Sequence, residues 1–254
     1  MNDRKNKSDT FHALHRKGDP LVLYNVWDAG SASAAAKAGA EAIATGSWSV
    51  AAAQGYADGE AIPLKLLAAI AKRICETVDL PVTIDFEGGF AESPEDLGRT
   101  TGVILDTGAV GVNFEDQRVG GEGLYVADEQ ARRIEAVRKA ADQAGVTLFI
   151  NARTDVFLKA RKEEHDELLE EAIDRAAAYA EAGASGFFAP GLIDEALIGA
   201  LCERVDLPVN VMMKKGLPEK AALSALGVAR ISHGPGPFVA AMAAIEEAAA
   251  AALV

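Results

Sequence analysis

The stretch TGAVGVNFE, residues 107–115, packs one structural unit into a short span. A helical segment runs into Gly108, the residue type that most readily takes the left-handed cap of a helix. A short apolar run follows and ends on an acid, Glu115. The helix-ending glycine followed by a short apolar run recurs at AGAEAIAT (38–45), AGVTLFINAR (144–153), AGASGFFA (182–189) and LGVARIS (226–232). A second phrase, VDLPV, occurs at 78–82 and 205–209 and each time feeds an apolar run. With LVLYN (21–25), the pattern predicts eight strands, near 21, 41, 81, 110, 146, 185, 208 and 228. Helical stretches separate them at 30–38, 62–77, 94–107, 127–144, 165–182, 194–204 and 218–226.

Short apolar strands alternating with amphipathic helices imply parallel βαβ units. Eight units in 254 residues match an α/β fold of the (β/α)8 TIM barrel type. A doubly wound open sheet would want a glycine-rich dinucleotide fingerprint after the first strand, and NVWDAGSASAAA is not one. No linker or composition break appears, so residues 1–254 are expected to form one domain. Residues 1–18 read as a polar lead-in and 237–254 as the closing helix.

The formal charge of −13 disfavours nucleic acid and anionic membrane as partners. No apolar run is long enough for a signal peptide or a membrane span, which predicts a cytoplasmic protein. Cys75 and Cys202 fall in helical stretches without metal-type spacing and read as buried, reduced thiols.

In a barrel of this kind the active site lies at the C-terminal ends of the strands. There the second strand leads to Ser47, Trp48 and Asp58, and the third, PVTIDFEGGF (81–90), to Asp85 and Glu87. The fourth ends in Glu115 and Asp116, the fifth delivers Asn151, Arg153 and Asp155, the seventh Asn210, and the eighth Ser232 and His233. Strand alternation would point Asp85 and Glu87 the same way. A single acid at a strand end is commonly a helix cap or a loop ion pair. Several converging acids either hold protons or surround a cation. An oxygen-only set favours Mg²⁺ or Mn²⁺ over zinc. Arg153 is either a structural partner of these acids or a fork for a substrate carboxylate or phosphate. His233 is either a loop hydrogen-bonding residue or a proton donor. His12, His15 and His165 read as surface residues.

The motifs PVTIDFEGG and GVNFEDQ, followed by ARTD, resemble the isocitrate lyase/phosphoenolpyruvate mutase superfamily, over nearly the whole chain from NVWDAGSA to RISHGPGPF. The resemblance implies a magnesium ion bound directly by Asp85, with Asp58, Glu87 and Glu115 holding it mainly through water. It also implies that Gly46, Ser47, Trp48 and Arg153 bind a 2-oxo carboxylate; Asn210, at the mouth of the seventh strand, is expected as a further substrate contact. Catalytic roles fall to Arg153, Glu115 and His233. Family members make or break a C–C or P–C bond beside a pyruvate unit, through an enolpyruvate-like oxyanion.

One segment departs from the family. Lyases of the group carry a K-[KR]-C-G-H loop after EDQ, and the mutases a K-x-x-N-S loop. Here the loop reads RVGGEGLYVADEQ. The loss of both resembles oxaloacetate decarboxylases, in which departure of CO2 leaves an enolate. The expectation is a Mg-dependent lyase on a small 2-oxo or 2-hydroxy di- or tricarboxylate. Other readings are phosphonomutase-type P–C chemistry, a 2-oxo acid binding protein without catalysis, and a Schiff-base aldolase using Lys214 or Lys215. The family also implies a homo-oligomer, a dimer or a tetramer. The loop 117–125, rich in glycine, reads as a mobile lid.

Overall fold

The computed structural model describes residues 2–253. Eight parallel strands form its centre: β1 (Leu21–Leu23), β2 (Ile43–Ala44), β3 (Val82–Asp85), β4 (Gly111–Glu115), β5 (Phe149–Arg153), β6 (Gly186–Phe188), β7 (Val209–Met212) and β8 (Arg230–Ser232). Each pairs with its neighbours in the order β1-β8-β7-β6-β5-β4-β3-β2. The ends of that order meet through a parallel bridge between Val26 and Thr45, so the sheet curls into a nearly closed barrel. This is the (β/α)8 barrel the sequence pattern predicts.

Helices form the outer ring: α2 (Ala29–Lys37), α4 (Leu64–Thr77), α5 (Pro94–Leu105), α6 (Ala127–Gln143), α8 (Leu169–Glu181), α9 (Glu195–Arg204), α10 (Lys220–Ala225) and α11 (Gly236–Ala252). Their starts carry the expected chemistry. Asp28 accepts from Ser31 N (2.7 Å) in a capping box, and Ser93 caps α5 with Pro94 in its first turn. The apolar faces pack on the outside of the strands, as with Leu67, Ala71 and Ile74 of α4, all almost fully buried.

Two short helices at the C-terminal rim, α3 (Ser47–Ala53) and α7 (Val156–Lys159), were not foreseen. Nor was α1 (Asn2–Ala13), which replaces most of the expected lead-in. Its Phe11 is fully buried and plugs the N-terminal end of the barrel with Leu21, Leu23, Val110 and Phe149. Gly111 lacks a Cβ for this reason: one built there would lie 2.8 Å from the Phe11 ring. Arg4 on the same helix donates to Ala109 O (2.7 Å). The helix is polar along most of its length, and so its single large anchor is easily missed. Phe11→Ala would cost about 3–5 kcal/mol.

His15 and His165 are buried, not on the surface as expected. His15 stacks on Phe149 (4.0 Å between centroids), with Nδ1 against Phe11 O (2.7 Å), and burial beside Arg230 pushes it down to about 3. His165 Nε2 meets Phe157 O at 3.0 Å. His12 is half-buried near Phe149.

Candidate active site

A cavity of about 210 Å³ opens at the C-terminal mouth of the barrel. That is below the ~300–1,000 Å³ of ordinary ligand pockets, so it suits a small molecule. Its wall is polar on one side, with Ser47, Asp58, Asp85 and Arg153. Leu158, Phe188, Met212 and Trp48 supply the apolar side, and Asn113 and Ser232 the floor.

Asp85 ends β3 and is held there from two directions. Its N–H donates to Thr45 Oγ1 (2.9 Å), and its Oδ2 accepts from Ser47 N (3.0 Å). The other oxygen, Oδ1, is buried without a hydrogen-bond partner. Orphaned carboxylate oxygens are costly, and this one stands in the acid-lined wall. Asp58, on the rim, is exposed as a residue but turns its carboxyl inward. Partial burial, and then the charge of Asp85, push that carboxyl up from its ordinary range.

Glu87 reaches Asp85 by a route other than strand alternation. β3 stops at Asp85, and Glu87 has φ +50, in the left-handed region. Gly89 and Phe90 follow with φ +90 and +55. A Cβ on Gly89 would collide with Leu97 and Phe114, which explains the glycine. Glu87 and Phe90, two non-glycine residues at positive φ in one turn, store strain, and the surroundings over-determine it. Glu87 Oε2 accepts from Glu60 N (2.8 Å), and Arg133 of α6 donates to Gly88 O (2.6 Å). Burial, and then Asp85, raise the Glu87 carboxyl to about 8.

Arg153 ends β5. Its Nε and Nη2 fork the two oxygens of Asp155 (2.6 and 2.9 Å), and Nη1 meets Glu115 Oε2 (2.9 Å). Burial would lower its pKa, but these two acids more than offset that and hold it charged. A guanidinium has five N–H donors. These three contacts leave two for a ligand, so Arg153 is both an ion-pair partner and a wall of the cavity. Glu115 stands behind it, raised by burial and lowered in turn by Arg153.

Asp116 turns away from the mouth and accepts from Tyr179 Oη (2.9 Å), Arg175 Nη1 (3.1 Å) and Asp155 N (2.9 Å). It ties β4 to α8 and to the turn that carries Asp155.

Of the expected site residues, the fold brings Gly46, Ser47, Trp48, Asp58, Asp85 and Arg153 to the cavity. Glu87 and Glu115 lie behind that wall. Asn210 and His233 do not reach it. Asn210 is buried one layer down with its Nδ2 on Ser232 Oγ (3.1 Å), and Met212 takes the wall position on β7. The ring of His233 packs by Tyr24 (5.2 Å), leaving Ser232 and Gly234 to face inward. Asn25 was missed. Its Oδ1 accepts from His233 N and Gly234 N (both 2.9 Å) and its Nδ2 donates to Thr45 O (2.8 Å), pinning the ends of β1, β2 and β8 together. Only its place after the first strand could have marked it.

Lys214 and Lys215 are exposed after β7 and line no part of the cavity, which removes the desolvated pocket a Schiff-base lysine needs. The loop 117–125 is closed on itself. Gln117 bridges Leu124, Arg118 N donates to Gly123 O (3.1 Å), and Arg118 pairs with Glu129 (2.7 Å). Cys75 and Cys202 lie on the outer helices, and burial raises each to about 11.

Whether a divalent cation suits these residues is decided by Asp85. Its orphaned oxygen faces a wall of hard oxygen donors with raised carboxyls nearby, which fits Mg²⁺ or Mn²⁺. No group of three or more His, Cys, Asp or Glu among the described residues could enclose an ion by itself.

Residues 11–253 match the family model for phosphoenolpyruvate phosphomutase. The chain belongs to the isocitrate lyase/phosphoenolpyruvate mutase superfamily. Within the superfamily it is 30% identical over 217 residues to 2-methylisocitrate lyase of Halalkalibacterium halodurans, covering 83% of this chain and 68% of that one. It is 32% identical to the uncharacterized protein Rv1998c of Mycobacterium tuberculosis, over 95% and 88% of the two chains. A provisionally named phosphonomutase from Burkholderia cenocepacia J2315 superposes with a TM-score of 0.94 at 51% identity, over 96% and 97%. No helix among the described residues of this superfamily member is long and apolar enough to cross a membrane.

Proposed function

We propose that this chain is a divalent-metal-dependent lyase for a small 2-oxo or 2-hydroxy di- or tricarboxylate, and that oxaloacetate decarboxylation is the reaction to test first. The observation that carries this reading is the unpartnered Oδ1 of Asp85 in a small cavity that Arg153 also lines. Asp85 would hold Mg²⁺ or Mn²⁺ directly, with Asp58, Glu87 and Glu115 acting through water. The ion would supply Lewis-acid polarisation of the 2-oxo group and charge for the developing oxyanion.

The chain's own residues do the rest. The two remaining donors of Arg153 orient the substrate carboxylate, and Asp155 and Glu115 keep the guanidinium fixed while they do so. Leu158, Phe188 and Met212 exclude water from one side. In decarboxylation the bond between C3 and the departing carboxylate breaks, its electron pair becomes the enolate, and CO2 leaves. A solvent proton then returns the enolate carbon to the 2-oxo acid. No cysteine lines the cavity, so this step suits the site better than an aldol-type cleavage that draws its proton from a loop thiol.

Phosphonomutase-type chemistry is the second reading. Its support is the 51% identity to the Burkholderia protein. The loop here lacks the Asn that the mutases use.

The apolar residues Val239, Met242 and Ile245 are exposed along α11, which supports a homo-oligomer with this helix at the contact.

The deciding experiment is a panel of oxaloacetate, 2-methylisocitrate, 2,3-dimethylmalate and phosphonopyruvate, assayed with Mg²⁺ for pyruvate release and for phosphoenolpyruvate. Chelator-sensitive pyruvate release from oxaloacetate is expected. Turnover of phosphonopyruvate alone would establish the second reading, and turnover of none would leave a binding protein.

A further inference from the structure

Beneath the cavity the barrel interior is unusually polar. Arg230 of β8 is completely buried there and spans the barrel to Asn113 on β4. It makes no ion pair with a carboxylate among the described residues, and its Nη1 has no hydrogen-bond partner. Arg153, one layer above, has two carboxylates. A buried cation without a paired anion is costly, so a fold that keeps one calls for a compensating role. Burial pulls this guanidinium down to about 9, and the charge of Asp85 opposes that only in part.

The hydrogen bonds of Arg230 determine which atoms form the floor. Asn113 Oδ1 accepts from Arg230 Nη2 (3.1 Å) and from Asn151 Nδ2 (2.9 Å). A guanidinium can only donate, so this amide cannot be flipped. With Oδ1 held by two donors below, the free end of Asn113 is its Nδ2, and Asn113 lines the cavity. Ser232 Oγ likewise receives Asn210 Nδ2 (3.1 Å), with Arg230 Nε at 3.4 Å. Its own proton has only Asn210 Oδ1 within reach, at 3.3 Å, which is long for a hydroxyl donor. Ser232 also lines the cavity. Arg230 therefore fills the acceptor sites of both floor residues and leaves them facing the cavity as donors. The wall above carries acids, and the floor carries N–H and O–H groups with a cation behind them.

We propose that this floor is the subsite for a second carboxylate of the substrate, with Asn113 Nδ2 and Ser232 Oγ donating to it and Arg230 as the positioning residue behind them. The inference rests on the 2-oxo or 2-hydroxy acid reading of the same cavity and narrows it to dicarboxylates.

Lactate and malate test it, because both are 2-hydroxy acids and malate adds one carboxylate. Their binding with Mg²⁺ is measured by calorimetry. The intact protein should bind malate at least about tenfold more tightly than lactate. Arg230→Met should bring that ratio close to one while lactate affinity stays within about twofold. Ser232→Ala, a smaller change that tests the floor if the arginine variant does not fold, should lower the ratio by about threefold or more. A ratio unchanged in folded variants overturns the subsite, even if Arg230→Met lowers the melting temperature, because Arg230 would then serve the fold alone. If the intact protein prefers lactate, or binds the two equally, the floor is not a carboxylate site. If it binds neither, the 2-hydroxy acid reading fails and the subsite with it.

Discussion

Glu60 and Glu87 clasp two loops together. Glu87 Oε2 accepts from the backbone N–H of Glu60 (2.8 Å), and Glu60 Oε1 accepts from Phe90 N (2.8 Å). Both acids have positive φ, +57 and +50. The loop after β2, which carries Asp58, is thus fixed to the turn after β3, which follows Asp85. The clasp holds the rim acid and the strand-end acid in one arrangement.

Asp85 is the residue on which the metal reading stands. Asp85→Ala should abolish binding of Mg²⁺ and Mn²⁺ by calorimetry, and activity with it. Glu87→Gln keeps an acceptor for Glu60 N and should weaken both less. Undiminished metal affinity in Asp85→Ala would overturn the assignment.

The clasp also makes stability depend on pH. The Glu87 carboxyl is raised to about 8 by burial and by Asp85. A raised acid favours the folded state fully at low pH, and that contribution is lost as pH rises from the ordinary carboxylate range through about 8. The metal-free protein should therefore lose stability over that window, and Glu87→Gln should flatten the loss. About 1 kcal/mol moves the midpoint by about 2–4 °C in a chain of this size, so thermal melts in chelator at pH 5 and pH 8.5 resolve it. Mutant and parent melting in parallel would show that another acid governs the effect.

Arg153 is held by a two-point fork that lysine cannot make. Arg153→Lys should lower kcat/KM at least tenfold, about 1.4 kcal/mol. Unchanged kinetics would leave Arg153 with a structural part only.

Thiol reagents should not inactivate the enzyme. Both cysteines are protonated at neutral pH and lie away from the cavity. Inactivation that substrate prevents would contradict this and point to a thiol in the mechanism.

The face of α11 gives the last prediction. Ile245, 59% exposed, lies beside Met242 on that helix. Ile245→Asp should dissociate the homo-oligomer proposed at this helix, read by light scattering, and leave the metal affinity per chain unchanged. A parent protein already monomeric at micromolar concentration would remove the oligomer.

Much of the architecture was legible because its signals are local. A glycine after a helix, a short apolar run and an acid at its end all lie within about ten residues of each other. Helix-ending glycines before apolar runs at five places, VDLPV at two more and LVLYN at the start mark the eight strands of the barrel and put Asp58, Asp85, Glu115 and Arg153 at one mouth. What needed the tertiary structure depended on neighbours distant in sequence. Phe11 shows its role only against Gly111 and Phe149. Glu87 adopts left-handed backbone because Glu60 and Arg133 hold it there. At strand ends a shift of one residue reverses the facing, so Ser232 looks inward where His233 was expected. Asn210 has the right parity but lies one layer too deep, under Ser232. Arg230 carried no signal in the chain, because its buried charge acquires meaning only from the amides that β4, β5 and β7 bring around it and from the Ser232 hydroxyl on its own strand.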